Sequence, residues 1–374
     1  MHIRKTKIVA TIGPASSGEQ ELFGMIHAGM NAARIDISKG AFEDHSKVID
    51  LIRVYADKMH IAVAVILDRN GEKNVSSEDF EFLVKKNVDF VVLSKVETVE
   101  DIRKVRDMFK KHKADIGIIA KIQTKEAVEN IDAIIEAVDG LMVGNEDLAD
   151  QVKDENATLL QKVIVKKAIA AGKPVITATK MLPSMISSPV PTNLEVNEVT
   201  NAILDGTDAI MLVDETTSGR HPVLSVETLS RIALFTERSA LFAEDVTKFE
   251  RTSRGIVDAV SEAAAKTVKN IGAEAIITLS EKGFTPRMVA RFKPDHSIFV
   301  LTPHVRTFRR VILSFACAPE LLEQPIKTLN EAVSVSKKLL VRKKQLKEGD
   351  KFVVVAGMPF GITEGTNMIL VQTI

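Results

Sequence analysis

The chain has 374 residues, 45% hydrophobic and 27% charged, with 50 basic side chains against 50 acidic ones. That is enough apolar material for a large core, and it excludes the low-hydrophobicity, high-net-charge profile of a disordered chain. With no surplus of Lys and Arg, nonspecific nucleic-acid binding is not expected. The single cysteine, Cys317, rules out an intrachain disulfide framework and a multi-cysteine metal cluster. Its surroundings, ValIleLeuSerPheAlaCysAla, read as a buried small hydrophobe. No apolar stretch reaches the ~18 residues of a membrane span, and the N-terminus leads into a strand-like run rather than a signal h-region. A cytoplasmic protein with no membrane partner is expected.

Short apolar, β-branched runs recur in chain order at Lys7–Ile12, Ala33–Ile37, Ala62–Asp68, Phe90–Lys95, Gly117–Ile122, Gly140–Gly144, Lys173–Thr179 and Ala209–Glu215. Each is followed by a stretch with helical spacing. Continuous rather than alternating apolar strands suit a parallel sheet covered on both faces. Eight strands alternating with helices predict a closed (β/α)8 barrel of the TIM class. After the third strand, ArgAsnGlyGluLysAsnValSerSerGluAsp runs almost at once into a helical pattern, leaving no room for an inserted domain. A helical segment over Pro222–Phe242 and a charged stretch over Glu244–Arg254 then mark a boundary. This divides the chain into a barrel over 1–243 and a small doubly wound α/β domain over 244–374. In the latter, a helix over Gly255–Asn270 precedes strands near Ala275–Thr278, Ser297–Leu301, Lys351–Ala356 and Asn367–Gln372.

In such a barrel the strand ends and the loops after them face the site. Read in order, those positions supply Arg34, Asp36 and Ser38, then Asp68 and Lys95, then Lys121 and Gln123. Glu146 and Asp147, Thr177, Thr179 and Lys180, and Asp214, Glu215 and Thr216 complete the set. Two lysines at the mouth with Arg34, set among carboxylates, suit a small phosphorylated or carboxylated anion. Any one of these charges read alone is better explained as a structural salt bridge; the set as a whole is not.

At these residues the sequence resembles the pyruvate kinase family, along nearly its whole length. ArgLysThrLysIleValAlaThrIleGlyPro (4–14) is similar to that family's opening strand and turn, and GlyMetAsnAlaAlaArgIleAspIleSerLysGly (29–40) to its second-strand motif. LysProValIleThrAlaThrLysMetLeuProSerMetIle (173–186), ProThrAsnLeuGluValAsnGluVal (191–199) and AsnAlaIleLeuAspGlyThrAspAlaIleMetLeu (201–212) follow in the family's order. GluThrThrSerGlyArgHisProVal (215–223) continues the match, and GlyMetProPheGlyIleThrGluGlyThrAsn (357–367) resembles the family's chain end.

The resemblance implies phosphoryl transfer between phosphoenolpyruvate and ADP, giving pyruvate and ATP, with Mg²⁺ or Mn²⁺ clamping the oxygens. Residue by residue, it makes Lys121 the lysine that stabilises charge on the phosphoryl group and the enolate. Thr179 would contact substrate and aid the proton step, and Arg34 would hold the phosphate. Asp147, with the backbone at Glu146, would grip the carboxylate and the divalent metal. Asp36, Ser38 and Asp68 match a monovalent-cation pocket. Lys73 stands where some members place a lysine ammonium instead of K⁺, and Arg69 acts similarly, so no K⁺ requirement is expected. A homodimer or homotetramer is also implied.

Several departures accompany these matches. Gln123 stands where the family has a metal-ligating glutamate, and a neutral amide oxygen is a much weaker Mg²⁺ ligand than a carboxylate. GlyAsnGluAspLeuAla (144–149) loses the arginine and the tight-turn glycines of the matching motif. The small lid domain that pyruvate kinases insert after the third strand is missing. An open mouth keeps water near the transferred group and weakens each electrostatic contact. In the C-terminal domain, ThrLeuSerGluLysGlyPheThrProArgMetValAlaArgPheLysPro (278–294) resembles a loop-to-helix segment that binds phosphorylated effectors, with Thr278, Ser280, Lys282 and Thr285 as candidates. A plain helix start, with Thr285 as N-cap and Pro286 after it, explains that segment equally well. Three functions stay open: a compact pyruvate kinase, a catalytically inactive paralogue that binds an anion or regulates, and a different enolate reaction on pyruvate such as an aldol or lyase step.

Overall fold

The computed structural model describes residues 3–149, 154–239, 241–242, 255–361 and 365–374. The chain divides into two units, Thr6–Phe242 and Met1–Lys5 with Ala243–Ile374.

In the first unit eight strands pair in sequence order, all parallel, and the last closes on the first. They are β1 (Lys7–Ile12), β2 (Ala32–Asp36), β3 (Ala64–Asp68), β4 (Phe90–Leu93), β5 (Gly117–Ile122), β6 (Gly140–Val143), β7 (Val175–Thr177) and β8 (Ala209–Leu212). Closure runs through Lys7 opposite Ala209 and Ala10 opposite Leu212. The strands are apolar throughout because helices cover the outside and side chains fill the inside; Ile8–Ala10 and Ala64–Leu67 have no exposed surface.

The intervening helices obey local rules that the sequence carries. Val99–Lys111 begins after Thr98, whose N–H is taken up by the Asp101 carboxylate. Ile102, Val105 and Phe109 form its buried stripe, and burial of a side chain such as Phe109 contributes about 2–3 kcal/mol. Lys110 and Lys111 sit at the negative end of its dipole, and Lys113, with φ 53°, turns the chain out of the helix.

No domain is inserted after β3. The connection 69–76 leads straight to the helix Ser77–Lys85, which Ser76 and Asp79 open with a reciprocal capping box. The Ser94 N–H donates to Glu72 O at 2.9 Å, laying this connection along the end of β4.

The second unit holds a five-stranded mixed sheet in the order β11–β10–β9–β12–β13. Its strands are β9 (Ala275–Leu279), β10 (Ile298–Thr302), β11 (Cys317–Leu321), β12 (Lys351–Gly357) and the antiparallel β13 (Thr366–Thr373). Ala275, Ile277, Phe299, Leu301, Phe352 and Val354 pack on the helix Leu329–Arg342 through Ala332, Leu339 and Leu340. The alternate residues Ile276, Ile298, Val300, Val353 and Val355 are also buried, so both faces are covered.

Cys317 is fully buried, as expected, and opens strand β11. The chain start groups with the second unit. The Ala316 N–H donates to Lys5 O at 2.9 Å, and Lys5 Nζ reaches Asp295 O at 3.3 Å over the Phe315 ring. The charged boundary segment Glu244–Arg254 lies outside the described residues. Among the described residues no helix is long and apolar enough to cross a membrane.

Candidate active site

At the carboxyl ends of β1, β2, β3 and β8 one network joins four strands. Strand pairing sets Thr11 beside Arg34 and Asp36 beside Asp68. Arg34 donates from Nε and Nη2 to Asp68 Oδ2, both at 2.8 Å, and from Nη1 to Thr11 Oγ1 at 3.3 Å. Thr11 Oγ1 in turn donates to Leu212 O at 2.9 Å. Arg34 is 5% exposed and Asp68 is fully buried, with its Oδ1 lacking a hydrogen-bond partner among the described residues. Burial pushes the Asp68 carboxyl above its ordinary value, more than Arg34 and Lys121 pull it down, and Asp36 adds to the rise. Lys121, half-buried at the end of β5, therefore acts on the same carboxylate.

Asp36 stands at the rim, its Oδ1 accepting from the Ser38 hydroxyl at 2.6 Å and the Ser38 N–H at 3.0 Å. It lines a cleft of about 800 Å³ with Thr11, Gly13, Arg34, Asn70 and Asp214. The close approach of two loops forms one wall: a Cβ on Gly13 would sit 2.7 Å from Thr217 Cα, so only glycine fits there. Thr179 is 9% exposed, and among the described residues its hydroxyl has only the soft Met181 sulfur at 3.7 Å as partner.

Lys73 is not beside Asp36 and Asp68. Its ammonium lies 3.0 Å from Glu97 Oε2 and 3.5 Å from Asp101 Oδ1, and Glu97 foremost raises its pKa. Arg69 likewise pairs with Asp79 at 2.6 Å. With no inserted domain, the short 69–76 connection lies along β4 and carries both cations to neighbouring helix starts. The reason given for dispensing with K⁺ is thereby removed. Glu215 is structural: it accepts the Leu182 N–H at 2.8 Å and the Val213 N–H at 2.9 Å, while burial raises its pKa.

A resident divalent ion needs several charged oxygens. The Gln123 amide oxygen is neutral and already accepts the Lys95 N–H at 3.2 Å. Glu146 is exposed, with its carboxylate 3.5 Å from Lys180 Nζ. The side chain of Asp147 lies outside the described residues. Among the described residues no three His, Cys, Asp or Glu side chains gather to hold a metal ion. Of the two side chains that the resemblance matches to metal ligands, the described one, Gln123, brings an amide where a carboxylate would offset the ion's charge.

In the second unit, Ser280, Lys282 and Thr285 line a cavity of about 40 Å³ with Phe360 and Gly361. Thr278 is not among them; its hydroxyl is buried within β9 without a partner among the described residues. Thr285 is not an N-cap. The helix Phe284–Ala290 starts after Gly283, whose φ of 80° suits glycine, and the Thr285 hydroxyl meets that of Thr366 at 2.8 Å.

Sequence reasoning passed over Thr11. Its one signal was a hydroxyl in the middle of the otherwise apolar end of LysIleValAlaThrIle, which barrel closure turns into the bridge between Arg34 and β8.

The family description "Pyruvate kinase, barrel domain" matches residues 3–76 and 72–226, and "Pyruvate kinase, alpha/beta domain" matches 258–372. A protein of Geobacillus stearothermophilus named pyruvate kinase is 33% identical over 99% of this chain and 80% of its own length. One of Staphylococcus aureus (strain MRSA252) with the same name is 30% identical over 100% of this chain and 81% of its own. The first alignment spans 477 positions against 374 residues here, so the relative carries sequence that this chain lacks. The two halves of the barrel match meet at 72–76, in the short connection after β3. With its closed barrel, its mixed α/β unit and its polar strand ends matched in sequence from end to end, the chain belongs to the pyruvate kinase family.

Proposed function

We propose that this chain catalyses slow phosphoryl transfer between phosphoenolpyruvate and ADP at the barrel mouth. The observation that carries this reading is the buried Arg34–Asp68 pair, with Arg34 lining the cleft and the Lys121 charge acting on Asp68. In the forward direction the bond between phosphorus and the enol oxygen breaks. A bond from phosphorus to a terminal ADP oxygen forms, and the enolate left behind takes a proton at carbon. The Lys121 ammonium stabilises negative charge as it builds on the enolate oxygen. The Thr179 hydroxyl, just past β7 and bonded to the Met181 thioether, serves the proton step. Arg34, with Nε and Nη2 on Asp68 Oδ2, presents a preset positive charge to the phosphate.

Mg²⁺ or Mn²⁺, held by Asp147, would neutralise charge on the phosphates at a site weakened by Gln123 in place of a carboxylate. The open mouth leaves water at the reacting group, so turnover is expected to be low. The effector loop reading rests on Ser280, Lys282 and Thr285 facing one small cavity.

The test is pyruvate formation from phosphoenolpyruvate and ADP with Mg²⁺ or Mn²⁺, on the parent and on Lys121→Met. Removing one preorganised stabiliser is expected to lower the rate by about 10²–10³-fold. If the parent forms no pyruvate above a heat-killed control, the phosphotransfer proposal fails. One observation favours the second reading, an anion-binding paralogue without turnover: the Gln123 amide is spent on the Lys95 N–H instead of a metal.

A further inference from the structure

Asp68 sets where the Arg34 guanidinium sits, but not how its plane is turned. Nε and Nη2 both meet Asp68 Oδ2 at 2.8 Å, so the contact closes on one atom and leaves the group free to swing about it. A second anchor comes from another strand, where Nη1 donates to Thr11 Oγ1 at 3.3 Å. A planar group held at two points on different strands keeps one orientation.

Thr11 can serve as that anchor because its own hydroxyl is fixed. It is 2% exposed, and its single proton goes to Leu212 O at 2.9 Å. A carbonyl only accepts and a guanidinium only donates, so the chain Arg34 to Thr11 to Leu212 runs one way. The backbone beneath is held as well: Thr11 O accepts the hydroxyl of the fully buried Thr216 at 2.7 Å, from the short helix Asp214–Thr217. Packing alone does not require a hydroxyl here. Ile8, Val9, Ala10 and Ile12 fill the rest of β1, and a valine has the same branched shape as threonine.

The guanidinium carries five N–H donors. Among the described residues, Nε gives its one to Asp68, Nη2 gives one of two to Asp68, and Nη1 gives one of two to Thr11. One donor remains on each terminal nitrogen, and Arg34 and Thr11 both line the cleft. A pair of donors on one rigid group suits two oxygens of one phosphate.

We infer that Thr11 is a positioning residue for phosphoenolpyruvate: its hydroxyl, held by Leu212 O, fixes the plane of Arg34 so that the two remaining N–H groups meet the phosphate together. This rests on the reading of Arg34 as the phosphate holder, but not on turnover.

The test is calorimetric titration of the full chain, with Mg²⁺ present, using two probes. Phosphoenolpyruvate carries the phosphate and oxalate lacks it. Thr11→Val keeps the shape and removes the hydroxyl. It is expected to weaken phosphoenolpyruvate binding about 10-fold, the low end of the worth of one hydrogen bond to a charged group, and to leave oxalate within about 2-fold. Thr11→Ser retains the hydroxyl and is expected to bind both probes like the parent. In turnover, Thr11→Val is expected to raise KM for phosphoenolpyruvate and not for ADP. A threonine that only stabilised the barrel would move both probes together. Melting temperatures keep each titration below unfolding. If Thr11→Val does not fold, Thr11→Cys, close in volume and only a weak acceptor, carries the same comparison.

Three outcomes overturn the inference and leave the phosphotransfer proposal standing: equal loss of both probes, parent-like phosphoenolpyruvate binding without the hydroxyl, or failure of Thr11→Ser to match the parent. A parent that binds oxalate but not phosphoenolpyruvate overturns the reading of Arg34 as phosphate holder, and the inference with it. Binding of neither probe overturns the anion-site reading as well. Absence of pyruvate formation with the difference between probes intact removes only the kinase.

Discussion

Arg34→Met is expected to lower the unfolding free energy of the barrel unit by about 3–5 kcal/mol, the usual effect of removing one partner of a buried ion pair. The magnitude follows from what remains. Asp68 has no exposed surface, its Oδ1 already lacks a partner among the described residues, and Arg34 supplies both donors to Oδ2. Without the guanidinium, a buried carboxylate keeps only the nearby Lys121 charge as compensation. Replacing both members, Arg34→Met with Asp68→Leu, removes the uncompensated charge, so the double variant is expected to recover most of the loss.

The pH dependence has a definite sign. Burial already raises the Asp68 pKa from 3.8, against the opposing pull of Arg34. Loss of Arg34 raises it further, so the folded state holds this proton more tightly than the unfolded chain does. Stability linked to Asp68 is then fully present below its unfolded pKa and is lost as the pH rises through the folded value. Urea denaturation of Arg34→Met should therefore show a smaller deficit at pH 5 than at pH 8. An equal deficit at both, or a deficit below about 1 kcal/mol, would mean that the pair does not carry this load.

Glu195→Ala should be nearly as damaging, with the opposite pH sign. The Glu195 carboxylate accepts the Ser184 N–H at 2.5 Å, the Ser184 hydroxyl at 2.6 Å, the Thr192 N–H at 2.6 Å and the Thr192 hydroxyl at 3.0 Å. It caps the helix Asn193–Leu204 and ties the short turn Pro183–Ile186, which follows Thr179, to that helix. Each hydrogen bond to a charged group is worth about 1.5–3 kcal/mol singly. The four share one carboxylate and are not additive, so a total of about 3–4 kcal/mol is expected.

Burial works to raise the Glu195 pKa from 4.5, but the Ser184 and Thr192 hydrogen bonds outweigh it and hold the group lower. A depressed folded pKa gives stability that is present above the unfolded value and lost as the pH falls through the folded one. The parent–variant gap in unfolding free energy should thus be widest near neutrality and shrink below pH 4. A gap that stays constant down to pH 3 would count against the ionised carboxylate as its source.

These two sites show different degrees of legibility. The ProThrAsnLeuGlu segment around Glu195 announces itself locally: a threonine three residues before a glutamate is a capping box wherever a helix follows, and Thr192 forms one. The eight apolar runs, the short step from Asp68 to Ser77, and Lys121 at a strand end were readable for the same reason. Strand period, helix period and caps involve residues a few positions apart.

What the sequence could not determine was which distant groups would meet. Arg34 reaches Asp68 and Thr11 only because barrel closure sets β2 between β1 and β3 in one register. Lys73, matched by position to a cation pocket, is claimed by Glu97 and Asp101 because its loop runs along β4. The Thr278 hydroxyl, matched to an effector loop, is sealed inside β9. Gln123 was visible as a departure, but its bond to the Lys95 N–H was not. The order of residues determined the barrel, the two-unit plan and the family, because those depend on hydrophobic period and on long matched segments. Only the folded chain decided which charges neutralise one another and which remain for a ligand, because such pairings depend on distances of a few ångströms between strands far apart in the chain.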